Sequence, residues 1–280
     1  MRDSSQPGRP DVSIIVVAHS VRPELERCLA SIDQHAGLAA ETIVVDNASA
    51  DDTADWVRRV HPSVTLIELP ANIGVAAREQ GLRRARGRYA MFLDSDAALT
   101  DGALPAMVEA LDGHAGWGLL GPRLVYDDGR LQPSCRRLPP LILPAIRRPP
   151  LDRLFARSRL VHRHLMEDFD HARARPVFYV LGACQLFRME LAHKAGPFDP
   201  HIFFGPDDID WCIRIRDAGG EVVYFPEATV IHSYRRLTRS RPLSRAAWKH
   251  LKAFLYFQWK YRKRRREFLR LERDLDRRAA

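Results

Sequence analysis

"YAMFLDSDAAL", residues 89–99, carries five largely apolar residues into Asp94-Ser95-Asp96 and then returns to apolar chain. Its first five residues have the length and unbroken apolar character of a strand buried on both faces. In extended chain, residues i and i+2 point the same way, so Asp94 and Asp96 leave the strand end as a pair of like-facing carboxylates. Such a pair is either a polar turn that ends a strand or a site for Mg²⁺ or Mn²⁺, which favour oxygen ligands. A DxD recurs often by chance, so its neighbours must decide.

Working outward, the first half of the chain alternates strand and helix signals. "VSIIVVA" (residues 12–18), "ETIVVD" (41–46) and "VTLIEL" (64–69) are further buried-strand runs. Between them Leu25, Cys28, Leu29 and Ile32 recur at helical spacing, "DDTADWVRRV" opens with acids suited to a helix N-terminus, and "GVAAREQGLRRARG" reads as helical. Apolar strands separated by helices predict an α/β protein with a mostly parallel central sheet flanked by helices. Ligands of such sheets bind beyond the C-terminal strand ends. Three polar clusters fall there: Ala18-His19-Ser20, Asp46-Asn47-Ala48-Ser49 and Asp94-Ser95-Asp96.

After Gly121 the pattern changes. Residues 130–176 are rich in Pro and Arg without a sustained period. They read as an excursion over or beside the site, either a cationic surface for phosphate or acceptor or a solvated loop. "YVLGACQLFRMELAHKAG" returns to strand and helix, and "EVVYFPEATVIHS" reads as a short strand, a turn and a second strand ending at His232. In "GPDDIDWCIRIRDAGG", Asp207, Asp208 and Asp210 cluster at the start of a helix. Capping and the helix dipole account for one or two of them, and the third favours a carboxylate placed as a general base. His232, followed by Arg235, Arg236 and Arg239, is a candidate ligand for a metal or a diphosphate.

These elements, in this order, resemble the family 2 glycosyltransferases of GT-A fold, in particular rhamnosyltransferase-like enzymes of bacterial cell-surface polysaccharide assembly. The resemblance is carried by "VSIIVVAHS", "ETIVVDNASADDT", "NIGVAAREQGLRRARGRYAMFLDSD", "GPRLVYDDGRLQPSCRRLP", "LGACQLFR", "GPFDPHIFFGPDDIDWCIRIRDAGGEVVYFPEATVIH" and "RRLTR", over residues 11 to about 240. It implies a Rossmann-like GT-A domain over 11–240, with a nucleotide-binding half (11–121) and an acceptor-binding half (122–240). Ala18 and His19 would border the nucleobase and Asp46 would hydrogen-bond it. Asn72, Gly74 and Arg78 would lie along the nucleotide. Asp94, with Ser95 beside it, would contact ribose or metal, Asp96 would hold a divalent cation, and His232 would complete its ligands. Gly182, Ala183 and Cys184 would line the sugar and acceptor pocket. Asp208 would be the base, with Asp207 and Trp211 shaping acceptor binding, and Arg235, Arg236 and Arg239 would meet the diphosphate. Many relatives have Asn where this chain has Glu79 and a Glu-Asp pair in place of Asp207-Asp208, so either aspartate could take the proton. The implied activity is single-displacement, inverting transfer of rhamnose or another hexose from a nucleotide-diphosphate sugar to a glycan or lipid-linked glycan.

Composition bounds the remaining classes. At 280 residues and 46% hydrophobic the chain can bury a full core. Its four cysteines form no CxxC pair and read as reduced, buried thiols. Residues 1–10 are polar and read as disordered, and "VSIIVVA" is too short to span a bilayer. The expected location is therefore cytoplasmic. Of the formal charge of +9, most lies in residues 260–280, with ten Lys/Arg against four Asp/Glu. The basic block supports a nucleic-acid-binding rival, but its segregation from the α/β core and the absence of a nucleic-acid motif argue against that reading. A catalytically inactive assembly subunit is the other rival, and Glu79 is its foothold. Within 241–280, Trp248, Leu251, Leu255 and Trp259 recur at helical spacing. This basic amphipathic helical tail would either lie on an anionic membrane at the inner face of the plasma membrane, or pack on its own domain or on the partner subunit of a homo-oligomer.

Overall fold

The structure, a computed structural model, describes residues 9–146, 151–155, 158–233 and 244–279. The expected disordered N-terminus lies outside them up to residue 8, and Arg9 donates from Nε to the Arg86 carbonyl (2.7 Å). Runs rich in Val and Ile form β1 (Val12–Ala18) and β2 (Ala40–Asp46), with α1 (Arg22–His35) between them. α2 (Thr53–Val60), β3 (Thr65–Glu68), α3 (Ala77–Leu82), β4 (Tyr89–Leu93), β5 (Ala97–Leu99) and α4 (Ala103–Gly113) follow. The expected helix over 74–87 is a 3₁₀ turn (Gly74–Ala76) continued by α3.

The second half contributes β6 (Trp117–Val125), β7 (Leu131–Gln132) and β8 (Cys135–Arg136). Short helices α5 (Leu143–Ile146), α6 (Leu151–Phe155) and α7 (Arg159–His164) fill the Pro/Arg-rich stretch, which ends in β9 (Arg175–Pro176). β10 (Tyr179–Val180), β11 (Cys184–Arg188), α8 (Met189–Ala195), α9 (Asp207–Asp217) and β12 (Glu221–His232) complete the sheet region. α10 (Arg245–Lys260) and α11 (Arg265–Ala279) form the tail.

The sheet runs β3-β2-β1-β4-β11-β6-β12-β5, with β7 on β6 and β9 on β12, and β8 pairs with β10 apart from it. β3, β2, β1 and β4 are mutually parallel, whereas β11 runs against both β4 and β6. β12 is parallel to β6 and takes β5 antiparallel on its far side. Alternation along β1 explains its unbroken apolar run: Val12, Ile14 and Val16 meet Leu25 and Leu29 of α1 on one face, and Ile15 meets Ala77 of α3 on the other.

The expected turn inside "EVVYFPEATVIHS" is a bulge within one strand. Pairing with β6 passes from Phe225↔Pro122 directly to Thr229↔Arg123. Pro226 has no amide to donate, so the ladder skips residues 226–228 and resumes on the same neighbour. His232 therefore arrives at the end of a long strand held on both sides.

The tail packs its aromatic face onto its own domain, through Phe254, Phe257, Tyr261 and Phe268. Asp210, 1% exposed, anchors it: its carboxylate accepts from Lys260 Nζ (2.7 Å), Tyr261 Oη (2.9 Å) and Arg214 Nε (2.8 Å). The third aspartate of the cluster is thus a structural ion pair. Among the described residues no helix is long and apolar enough to cross a membrane.

Removing one partner of a buried ion pair strands the other charges. Asp210→Ala should therefore lower the unfolding free energy by about 3 kcal/mol in denaturant titrations. It should also open residues 244–279 to trypsin before the rest of the chain.

Candidate active site

β1, β2 and β4 end on one rim, with Ala18 opposite Asp46 and Ile15 opposite Phe92. Beyond β4 the Asp94 amide donates to the Ala183 carbonyl (2.9 Å), and the Ala97 amide closes a turn on Asp94 O (2.9 Å). β5 then pairs with the last residues of β12, which sets His232 opposite Ala97, and the Ser233 amide donates to Asp96 O (2.9 Å). This pairing brings His232 Nε2 to 3.4 Å from Asp96 Oδ1. His232 Nδ1 lies 2.7 Å from Gln132 Oε1. An amide oxygen only accepts, so Nδ1 carries the proton of that bond and Nε2 is turned to the site.

One ligand atom each from Asp94, Asp96 and His232 lie within 4.8 Å of one another. Two hard carboxylate oxygens and one imidazole nitrogen suit Mg²⁺ or Mn²⁺. Burial disfavours a charged His232, but its hydrogen bond to Asp96 and the charges of Asp94 and Asp96 outweigh this and raise its pKa above the ordinary value. Desolvation, together with the Asp96 charge, raises the Asp94 carboxyl, and Arg78 opposes the shift.

Arg78 joins this cluster to the second group of carboxylates. Its guanidinium donates to Asp94 Oδ1 (2.8 Å), Gly182 O (3.0 Å) and Asp207 Oδ2 (3.2 Å), and stacks over Phe92 at 4.9 Å. A Cβ on Gly182 would lie 3.1 Å from Arg78 Nη1 and 3.5 Å from Asp208 Cβ. Gly182 therefore makes room for the guanidinium between the two carboxylate groups. Asp207 also accepts the Gly205 amide (2.8 Å) from a residue at φ +117°, a conformation that favours glycine.

Asp208, in the first turn of α9, accepts the Ile209 amide (2.7 Å) and makes no ion pair among the described residues. Burial and the adjacent Asp207 push its pKa well above the ordinary carboxylate range, against the Ile209 amide and the charges of Arg136 and Arg78. Asp207 is neutralised by a guanidinium, whereas Asp208 keeps the elevated basicity expected of a poised base. Glu79 is engaged elsewhere, accepting from Arg83 one turn along α3 (3.2 Å).

The nucleotide-side candidates form a braced rim. Asp46 accepts the Ser49 amide (3.2 Å) and the Ser49 hydroxyl. Asn47 donates to Asn72 Oδ1 and Gly74 O (both 3.1 Å) and accepts the Ile73 amide (2.9 Å). Gly74 sits at φ +66°, and a Cβ there would lie 2.1 Å from the Phe203 carbonyl that accepts the Val75 amide. The loop at residues 72–75 is thereby pinned to the segment leading into α9. Ala18 is buried beneath this rim, and His19 is exposed beside it.

Several expected residues lie elsewhere. Trp211 is 0% exposed and stacks on Phe198 (4.9 Å), within a cluster that includes Phe92 and Phe187. Its place on α9 turns it into the core, so it does not line a pocket. Cys184 is likewise buried, next to Leu93 across the ladder, and burial raises its thiol pKa. Gly182 faces the site, and Ala183 contributes its carbonyl to Asp94. Arg78 serves as a bridge between carboxylates. Arg235, Arg236 and Arg239 lie outside the described residues. Two residues to which the sequence assigned no individual role prove important here: Asn47, within a strand-end polar cluster, ties the two nucleotide-side loops together, and Gln132 orients His232.

The family description Glycosyl transferase family 2 matches residues 13–196. The chain is 27% identical over 255 residues to the N-acetylglucosaminyl-diphospho-decaprenol L-rhamnosyltransferase of Mycobacterium tuberculosis, covering 87% of this chain and 82% of that protein. It is 30% identical over 243 residues to the succinoglycan biosynthesis protein ExoO of Rhizobium meliloti, covering 84% of this chain and 64% of that protein. Its fold superposes on a mannosyltransferase of Pyrobaculum calidifontis, solved with GDP-Man and Mn²⁺, with a TM-score of 0.56 at 22% identity, covering 82% of this chain and 58% of that chain. The chain thus spans somewhat less than two thirds of the succinoglycan protein and of the solved mannosyltransferase. The mixed sheet is of the GT-A type, and the chain is a glycosyltransferase belonging to family 2.

Proposed function

We propose that this enzyme is an inverting, divalent-cation-dependent glycosyltransferase. It moves rhamnose or another hexose from a nucleotide-diphosphate sugar to a glycan or lipid-linked glycan during cell-surface polysaccharide assembly inside the cell. The observation that carries this reading is the Asp94–Asp96–His232 cluster together with a buried carboxylate, Asp208, that makes no ion pair among the described residues. The mycobacterial relative, an N-acetylglucosaminyl-diphospho-decaprenol L-rhamnosyltransferase, supports a sugar acceptor carried on a lipid diphosphate.

Asp96, Asp94 and His232 would hold a divalent cation, which would supply charge neutralisation to the donor diphosphate. Asp208 takes the proton of an acceptor hydroxyl as that oxygen bonds to the anomeric carbon. The anomeric bond to the diphosphate oxygen breaks in the same displacement, which inverts the carbon and leaves a nucleoside diphosphate. Arg78 bridges Asp94 and Asp207 and so ties the start of α9, where Asp208 sits, to the cation ligands. Asp46 and the braced 72–75 loop border the nucleoside.

Asp208→Asn should lower the rate of sugar transfer by about 10²–10⁴-fold, measured with the nucleotide sugar that thermal-shift screening selects, and leave the melting temperature close to that of the parent. Retained transfer would remove Asp208 from the role of base.

A base works only when deprotonated, so kcat/KM should fall as pH drops through the raised Asp208 pKa, with an acid limb above the ordinary carboxylate value of about 4. Asp207→Asn removes the neighbouring charge that raises Asp208, so this limb should move to lower pH. Loss of the limb with that change would transfer the role of base to Asp207, and an unmoved limb would show that the Asp207 charge does not set it.

Asp96→Ala should abolish the stabilisation of the protein by Mn²⁺ plus nucleoside diphosphate in thermal-shift titrations. Undiminished stabilisation would remove Asp96 from the cation site.

A further inference from the structure

α10 carries two apolar faces, and among the described residues only one is covered. Ala253, Phe254, Phe257 and Tyr261 are buried against the domain. On the opposite side Trp248, Leu255 and Trp259 recur at i, i+7 and i+11 and remain 53%, 54% and 59% exposed. A helix that packs on a single partner needs one apolar stripe, so the second stripe is available to another surface. The stripe continues onto the excursion. Gln258, which flanks Leu255 on the helix, donates to the Leu141 carbonyl (2.7 Å), and Leu141 and Ile142 are 51% and 52% exposed.

We infer that this face docks the enzyme on an anionic lipid bilayer, with α10 lying in the interface. The charge around the stripe selects that occupant. Residues 245–266 contain nine Lys/Arg and no Asp or Glu, and Lys252 and Arg262 lie on the exposed face beside the two tryptophans. Tryptophan rings settle at the headgroup level, and clustered Lys and Arg are drawn to anionic headgroups. A second copy of the chain would bring the same cationic rim against itself, which like-charge repulsion opposes.

The docked face adjoins the active site. Lys249 Nζ sits 3.6 Å over the Phe203 ring, and a Cβ on Gly205 would lie 2.5 Å from His250 Cδ2. The start of α10 is therefore packed against the segment that presents Asp207. On the reading of this site as a glycosyltransferase for lipid-linked acceptors, docking brings the acceptor's headgroup to the carboxylates; lipid binding itself does not depend on that reading.

The test uses the full chain, without nucleotide sugar. It is sedimented with sucrose-loaded vesicles of phosphatidylcholine, or of phosphatidylcholine with about one third phosphatidylglycerol. Binding should favour the anionic vesicles by about tenfold or more and weaken as salt is raised. Bromine-labelled acyl chains should quench part of the tryptophan fluorescence. Trp248→Ser with Trp259→Ser should remove that quenching and about tenfold of the affinity without lowering the melting temperature, because both rings are exposed. Lys252→Glu with Arg262→Glu should erase the preference for anionic lipid.

Failure of the parent chain to sediment with anionic vesicles would overturn the inference, as would equal binding by the double-serine variant. So would a dimer that the serine substitutions dissociate, seen by light scattering without vesicle binding. Sugar transfer to a soluble acceptor, measured without vesicles, reads the reaction separately. Lost docking with intact transfer would refute the membrane surface and leave the enzyme assignment in place.

Discussion

The guanidinium of Arg78 holds together two acidic groups that would otherwise repel each other. On one side lies Asp94, at the mouth of the parallel strands, and on the other Asp207, at the start of α9. Burying a cation is costly unless its donors are satisfied. Here two carboxylates, a backbone carbonyl and the face of Phe92 satisfy it. The glycine at 182 is a condition of the arrangement, because a side chain there would crowd the guanidinium. With Arg78 in place, Asp207 is compensated and Asp208 is not. The two adjacent aspartates thereby acquire different chemistry on one helix turn.

The same helix is held from its other side. Asp210, two residues beyond Asp208, points away from the site into Lys260, Tyr261 and Arg214, and Lys260 also reaches Asp199 (2.8 Å). Desolvation opposes ionisation of Asp199, but Lys260 and the hydrogen bonds from His201 outweigh it and hold the carboxyl well below its ordinary range. The orientation of α9 is thus set by a charge pair toward the sheet and another toward the tail. The C-terminal helices belong to the scaffold that positions the carboxylates, even though their composition sets them apart from the α/β core.

The central strands, the alternation with helices and the acidic strand end at residues 94–96 were legible because each depends on local pattern. β1, β2 and β4 bury side chains on both faces and read as unbroken apolar runs. His232 was legible as a strand terminus. What the sequence could not show depends on pairing between distant segments. Pro226 reads as a break, yet β6 carries the ladder across it. Gln132 lies in a Pro/Arg-rich stretch with no recognisable signal, and only the fold brings it to His232. Trp211 and Cys184 sit beside site residues in the chain but face the core, because neighbouring positions on a helix or strand point in different directions. The Asp207-Asp208-Asp210 cluster read as one acidic feature, and three-dimensional packing separates it into a compensated carboxylate, a poised one and a structural anchor.

The charge inventory of the site also constrains what can enter it. Asp94, Asp96, Asp207 and Asp208 converge on a small region, and among the described residues only Arg78 and His232 oppose them at contact distance. Arg78 is already committed to two of the carboxylates. A diphosphate approaching this wall brings further negative charge into a partly desolvated space, where like charges repel more strongly than in water. In the proposed reaction, Asp94, Asp96 and His232 would hold a divalent cation whose charge would reverse the sign of the local field beside the diphosphate. Asp208, next to the Asp207 end of the Arg78 bridge, would remain basic enough to take a proton. With a single buried arginine between the two groups of carboxylates, one acidic pocket could then offer an electrophilic end and a basic end at once.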